Sequence, residues 1–224
     1  MFLVAFDSFP LWNSLRIAAI SSIVVFFLGI LLGYYISKLP RAAKGVLDVL
    51  LTLPLVLPPT VCGYFLIIIF GNNSPLGQFL KNIGLPFFMT WRGAILASIV
   101  VSFPLMYRTV RGAFESFDEN LSGAGKTLGL SNTFIFWRIR IPYCKSGIIA
   151  GLVLAFARAL GEYGATSMFV GYIQGKTATI ATAVYQYWTI GNNELAIIWV
   201  SINIAISAVV LLVVNLFEKS RRKQ

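Results

Sequence analysis

Arg158 and Glu162 stand four residues apart inside a long run that is otherwise uncharged. On a helix this spacing puts guanidinium and carboxylate on one face. Charges at membrane depth are costly and face a bundle interior or an aqueous cavity. Two readings stay open: the pair lines or gates a solute path, or it is an ion pair that fixes helix packing. A dianion would be repelled by Glu162 unless Arg158 neutralised it, so Glu162 is not expected to hold an anion directly. Thr166, one turn further on, is a candidate on the same path. A second candidate group is Pro54, Pro58 and Pro59 with Thr52 and Thr60. Prolines leave backbone carbonyls without donors where an ion could pass, and the threonines add hydroxyls.

Other chemistry is excluded by what the chain lacks. It has no histidine and two cysteines, Cys62 and Cys144, both in or beside apolar runs, so zinc, haem and a structural disulfide are not expected. Glu162 is the only carboxylate well inside a span, so no acid–base pair or catalytic residue emerges. The stretch Gly171–Thr177 (GYIQGKT) falls one residue short of a phosphate-binding loop and lacks the strand that should precede it. It reads as an external loop. The chain then carries no nucleotide or other cofactor, is not an enzyme, and must draw energy from a partner.

The elements that position these residues are membrane helices. The chain is 58% hydrophobic and 12% charged, where soluble domains carry about 25% charged residues. Its apolar residues form long uncharged runs, each able to cross about 30 Å of hydrocarbon. Five spans are expected: 17–36, 49–70, 91–107, 146–170 and 195–217. The second carries the prolines and should kink or break, and Pro104 should bend the third. Small residues recur every fourth position in the fourth span, as Gly147, Gly151, Ala155 and Ala159, and again as Ala157, Gly161 and Ala165. They suit tight packing within the bundle or between subunits. Tyr185, Tyr187, Trp188 and Trp199 are expected near an interface as membrane anchors. The fold class is all-α, a polytopic bundle forming one domain over residues 1–224.

The net charge of +10 follows from topology. Thirteen basic residues fall on one side: Lys38, Arg41 and Lys44, then Arg108, Arg111, Lys126, Arg138, Arg140 and Lys145, then Lys219, Arg221, Arg222 and Lys223 in the tail. The other side holds Lys81 and Lys176, with Arg16 and Arg92 at its border. The positive-inside rule puts the N-terminus outside and the C-terminus in the cytoplasm of a multi-pass cell-membrane protein. No aromatic-basic module lies outside the spans, so nucleic acid is not an expected partner.

The loop 108–145 is far longer than a helical hairpin needs. Ser116 and Glu119 have the spacing of a capping box that starts a short helix. Gly129 can end that helix in a left-handed turn, Ser131 can cap a second, and Pro142 should mark the turn into the fourth span. One reading is an amphipathic hairpin on the lipid surface, drawn there by Arg138 and Arg140. The other comes from spacing: Gly123, Ala124 and Gly125, then Gly129 after three residues, then Ile139, Ile141 and Pro142 after nine more. This resembles the coupling motif of ABC importer permeases, Glu-Ala-Ala, three residues, Gly, nine residues, Ile-x-Leu-Pro. Gly123 stands where that family has Glu, and Gly125 where it has Ala.

The resemblance extends along the chain. Residues 51–61 (LTLPLVLPPTV), 74–77 (SPLG), 157–166 (ARALGEYGAT) and 175–177 (GKT) are similar to molybdate importer permeases. Sulfate permeases are similar around the 157–162 block and less so in the proline-rich span. The resemblance implies two permease copies over two cytoplasmic ATP-binding-cassette subunits that hold ATP and Mg. It implies an extracytoplasmic binding protein that delivers molybdate or tungstate by alternating access. It also implies that Glu119, Gly123, Ala124, Gly125, Gly129, Ile139, Ile141 and Pro142 couple the permease to the ATPase. Alternatives are a sulfate-type permease and a transporter driven by an ion gradient. No inverted repeat of the kind common in the latter is visible.

Overall fold

The computed structural model describes residues 7–221, which contain helices and no strand. In chain order these are α1 (Phe9–Ser37), α2 (Arg41–Val56), α3 (Pro59–Phe70), α4 (Pro75–Asn82), α5 (Trp91–Glu115) and α6 (Glu119–Thr127). There follow α7 (Asn132–Ile135), a π-helical turn (Phe136–Arg140), α8 (Ile141–Leu160), α9 (Gly164–Phe169), α10 (Ile180–Thr189) and α11 (Asn193–Arg221). Arg222 and Lys223, counted in the basic tail, lie outside the described residues.

Among the described residues, four stretches are long and apolar enough to cross a membrane: α1, α5, the continuous helix Asn132–Leu160, and Asn193–Val210. α2 and α3 together make a fifth, bent by 111°. The contacts at its ends place this bent pair beside both ends of α5. Lys44, in the first turn of α2, lies 2.8 Å from Glu115 at the last residue of α5. Phe70, at the end of α3, packs its ring 5.6 Å from Phe87, four residues before α5 begins. The bend comes from sequence. A residue before proline is pushed out of the helical region. Leu57 and Pro58 are both extended, at ψ 142° and 134°, and Pro59 restarts the helix at its first position.

α1, α5 and α8 form the core. α1 and α5 run parallel. Arg16 stacks on Trp91 at 3.8 Å, Gly29 abuts Met106, and Gly33 abuts the Arg111 backbone. α8 returns antiparallel, with Gly147 against Ala113 and Gly151 against Met106. A Cβ on Gly147 would stand 2.4 Å from that of Ala113. Lipid tails are as apolar as leucine, so association here rests on close backbone approach, which small residues allow. The stripe Gly147, Gly151, Ala155 and Ala159 is therefore packing inside the bundle. In the second stripe Ala165 is buried, while Ala157 and Gly161 are exposed.

Several expectations are corrected. α1 begins at Phe9 and α5 runs on to Glu115, because hydropathy marks the bilayer and not the end of a helix. The fourth span does not run unbroken to Val170. It stops at Leu160 and resumes as α9 after Gly161–Tyr163. Pro142 marks no turn, since the helix continues through it. The π turn before it widens the backbone register, and the Ile141 N–H bonds back to Phe136. The ladder therefore already departs from α geometry where Pro142 lacks a donor. Ser116 and Glu119 form no capping box. Ser116 ends α5, its hydroxyl donating to the Ala113 carbonyl, and Asp118 caps α6 by accepting from the Asn120 N–H. Trp199 and Tyr187 are buried in a core cluster with Ile180 and Ala183, whereas Tyr185 and Trp188 are exposed.

Candidate functional site: coupling segment and broken spans

Two places gather the residues singled out by sequence. The first is the loop between α5 and α8. α6 ends in a Schellman turn: the Leu130 N–H bonds to the Gly125 carbonyl, the Gly129 N–H bonds to Lys126, and Gly129 takes φ +77°. Ser131 caps α7 by accepting from the Phe134 N–H. α6 buries Ser122 and Gly125 and leaves Gly123, Ala124, Leu128 and Gly129 open. Leu128 is 78% exposed, an apolar knob at the tip.

Both departures from the motif have a local account. A Cβ on Gly125 would sit 3.1 Å from Ile135 Cγ1 and 3.6 Å from Ile139 Cδ1, so glycine lets α6 lie closer to the following helix. A Cβ on Gly123 would meet nothing within 4 Å, so this position faces outward.

Arg140 holds the segment together. It is 5% exposed, and its Nη2 donates to both Glu119 carboxylate oxygens at 2.7 Å and to Ser122 Oγ at 3.0 Å. Its guanidinium also lies 4.3 Å from the Phe117 ring centre. Arg140 had been legible only as one more basic residue. The signal that could have found it is its place between Ile139 and Ile141, where the motif fixes the helix register. Glu119, four residues before the motif, is therefore joined to Arg140 near the motif's far end, while Ile139 packs in the core with Val110 and Phe114.

The second place is where the two broken spans touch. Gly164 opens α9 directly against Pro59: a Cβ there would stand 2.7 Å from Pro59 Cβ and 3.3 Å from the Thr60 nitrogen. One turn on, a Cβ on Gly63 would stand 2.8 Å from the Ala165 carbonyl oxygen. Thr166 is buried at this contact, whereas Pro58 and Thr60 are exposed. Thr52 is not part of the junction. It lies more than a turn earlier on α2, and its hydroxyl donates to the Asp48 carbonyl at 2.6 Å.

Glu162 bridges the break in the fourth span. Its Oε1 accepts from the Ala165 N–H at 2.7 Å, satisfying a donor at the start of α9, and its Oε2 lies 2.6 Å from Arg158 Nη1. The Glu162 side chain is 1% exposed and that of Arg158 28%. The accessible half of the pair is thus the cation; behind it the buried carboxylate has one oxygen bonded to Ala165 and the other in ion-pair contact with Arg158 but without a hydrogen bond.

Sequence reasoning missed a third cluster. Asp48 on α2 accepts from both Tyr107 and Arg111 on α5, and Lys44 pairs with Glu115. These contacts tie the N-terminal end of the bent pair to the C-terminal end of α5. The expected second span began at Val49, one residue past the carboxylate that anchors it. Among the described residues no group of His, Cys, Asp and Glu is placed to hold a metal ion.

Comparisons with known proteins agree with this architecture. The chain is 42% identical over 203 residues to YvgM of Bacillus subtilis (strain 168), covering 90% of this chain and 89% of that one. It is 41% identical over 210 residues to the Molybdenum transport system permease protein ModB of Escherichia coli (strain K12), covering 91% and 92%. Among solved structures, the fold is similar to that of the MetNI methionine ABC transporter in inward-facing conformations, at TM-score 0.72, 14% identity and 94% coverage of both chains. It is also similar to a bacterial ABC transporter that imports the acidic polysaccharide alginate, at TM-score 0.76, 19% identity and 96% and 78% coverage. The profile of the binding-protein-dependent transport system inner membrane components matches residues 25–223, and with helices bundled and a clamped loop between α5 and α8, the chain belongs to that family.

Proposed function

We propose that this chain is the membrane-spanning subunit of an ABC importer for molybdate or its near-isostere tungstate. The observation that carries the reading is the segment Glu119–Pro142, a short capped helix clamped by Arg140 onto a membrane helix, with the spacing of an importer coupling motif. Permeases named for molybdenum transport, at 41% identity over most of the chain, supply the substrate. Two copies of the chain would pair over two ATPase subunits that hold ATP and Mg, with Leu128 and the open face of α6 entering a groove of the ATPase. A binding protein would deliver the oxyanion from outside, as an alginate importer of similar fold is known in complex with a periplasmic protein.

In this reading the N-terminus lies outside and the α5–α8 loop inside. Closure of the ATPases moves the loop, and α8 carries the motion to the junction of Pro59 and Gly164. Arg158, as the accessible cation there, meets the anion. Pro58 and Thr60 flank Pro59 at that junction, and Glu162 holds the Ala165 N–H behind it. A sulfate-type permease is the nearest alternative within the family. A gradient-driven carrier is disfavoured, since the family is binding-protein-dependent.

The test is uptake into vesicles carrying the permease, its ATPase and its binding protein. ATP-dependent uptake of molybdate that sulfate fails to compete supports the assignment; uptake without the ATPase overturns it. Orientation is checked by single cysteines at Ser8, Ser131 and Ser220 in a background lacking Cys62 and Cys144. Labelling of position 131 from outside removes both the topology and the coupling role.

A further inference from the structure

A groove runs along the last turns of α1 where they face α7, the π turn and α8. Its membrane-side half encloses about 510 Å³ and is lined by apolar and aromatic side chains, among them Phe27, Ile30, Leu31, Trp137, Ile141 and Ile148. A second, polar hollow of about 610 Å³ shares Tyr34, Tyr35, Asn132 and Phe136 with it and adds Lys38, Lys126, Glu119 and Arg140. The two are one continuous surface, apolar at one end and cationic at the other. Both volumes fall within the range of ligand sites, about 300–1,000 Å³.

Charge decides what fits. Arg140 and Glu119 neutralise each other. Among the described residues Lys38 and Lys126 enter no ion pair, so the polar end carries two uncompensated ammonium groups. Lys38 is held in place, with its Nζ 2.5 Å from the Tyr34 hydroxyl and 3.9 Å from the ring centre. Depth decides the rest. Lys38 directly follows α1 at the membrane boundary, the level at which tyrosines such as Tyr34 and Tyr35 concentrate. The apolar half extends from there toward the middle of the bilayer. A soluble anion would leave that half empty, and a neutral lipid would leave both lysines unmatched.

We propose that this groove binds one anionic phospholipid of the inner leaflet, with its headgroup phosphate at Lys38 and Lys126 and an acyl chain along Phe27, Ile30 and Trp137. The lipid would lie between α1 and the segment clamped by Arg140, filling the space beneath the loop opposite the open face of α6. The assignment of the leaflet rests on the orientation proposed above; the assignment of the ligand rests only on the groove.

The experiment is native mass spectrometry of the purified permease–ATPase complex in detergent, titrated with palmitoyl-oleoyl phosphatidylglycerol and, separately, phosphatidylcholine. Wild type should retain about one phosphatidylglycerol per permease copy in preference to phosphatidylcholine. The preference should fall about five-fold for each of Lys38→Gln and Lys126→Gln, as a charge near a membrane surface contributes on the order of a five-fold change in affinity. Trp137→Ala should weaken retention of both lipids, which separates the chain groove from the charge. Equal retention of the two lipids by wild type overturns the proposal. So does a Lys38→Gln, Lys126→Gln double variant that keeps the preference, whether or not it keeps the ATPase. The cysteine labelling at position 131 reports on orientation alone, so failure of the topology leaves this result readable.

Discussion

The Arg140 guanidinium and the Glu119 carboxylate meet across the loop that joins α6 to the membrane helix, with both carboxylate oxygens 2.7 Å from Nη2. Glu119 is 67% exposed and Arg140 is almost wholly buried, so the pair draws its strength from the buried, hydrogen-bonded side. Arg140→Ala should cost about 1–2 kcal/mol of local stability, a hydrogen-bonded charge discounted for the exposed partner. It should detach α6 from the π turn while leaving the protein inserted. Measured as protease sensitivity of the loop and as recovery of the ATPase in pull-down, Arg140→Ala should lower both resistance and recovery. Arg140→Lys should restore little, because a strongly hydrated ammonium replaces the planar guanidinium that stacks on the Phe117 ring while bonding Glu119 and Ser122.

Gly129 stands in open space at φ +77°, so any effect of substitution there is a backbone effect. Gly129→Val should cost about 1–2 kcal/mol in the left-handed turn and tilt α6. Insertion should remain intact, while ATPase association weakens or uptake per ATP hydrolysed falls. Gly129→Asn, which tolerates that conformation, should be near wild type. Normal association and coupling in Gly129→Val would remove the loop from the mechanism. Gly123→Glu, at an outward position with no neighbour, should fold normally.

The Arg158–Glu162 pair allows a double-mutant test of its two roles. Arg158→Gln leaves a buried carboxylate without its counter-charge and should destabilise toward the lower end of about 3–5 kcal/mol, since Arg158 keeps some solvent. The Arg158→Gln, Glu162→Gln double variant should recover part of that loss, because the amide can still accept from Ala165. If Arg158 also meets the anion, the double variant should be stable yet slow in uptake. Recovery of both stability and uptake would make the pair purely structural.

Where Gly164 faces Pro59 there is no room for a side chain. Gly164→Val should lower the thermal midpoint and abolish uptake, with an overpacking cost of about 1–3 kcal/mol. Gly161→Ala, where only the Ala157 carbonyl is nearby at 3.7 Å, should be mild by comparison. Thermal unfolding in detergent and uptake assays on the same preparations decide both.

Much of the fold was legible because lipid imposes simple rules. Long uncharged runs marked the four straight spans and the bent pair, and Pro58 and Pro59 marked the break within that pair. The break at Gly161–Tyr163 was not legible, because an apolar run reads as continuous even where Gly161 and Gly164 interrupt its backbone. Its trace was Glu162, taken as one half of a charge pair when its other oxygen caps a new helix. The loop was half legible. Gly129 and Ser131 act through their own backbone geometry and were read correctly. Ser116 failed because its role depended on where α5 ended, which packing against α1 and α8 sets. Arg140 and Asp48 were invisible for the same reason, since their partners lie 21 and 63 residues away, at Glu119 and Arg111.

The π turn has a mechanical consequence. By carrying the backbone past Pro142 without a hinge, it makes residues 132–160 a single rod about 43 Å long. Its N-terminal end is riveted to α6, and its C-terminal end stops at the Glu162 joint. If the rod pivots where Gly147 and Gly151 press on α5, a small push under the loop would swing the Arg158 end the opposite way. A flexible link at Pro142 would absorb that push. Inserting a hinge there, with Ile141→Gly, tests whether stiffness is the property that this stretch of chain supplies.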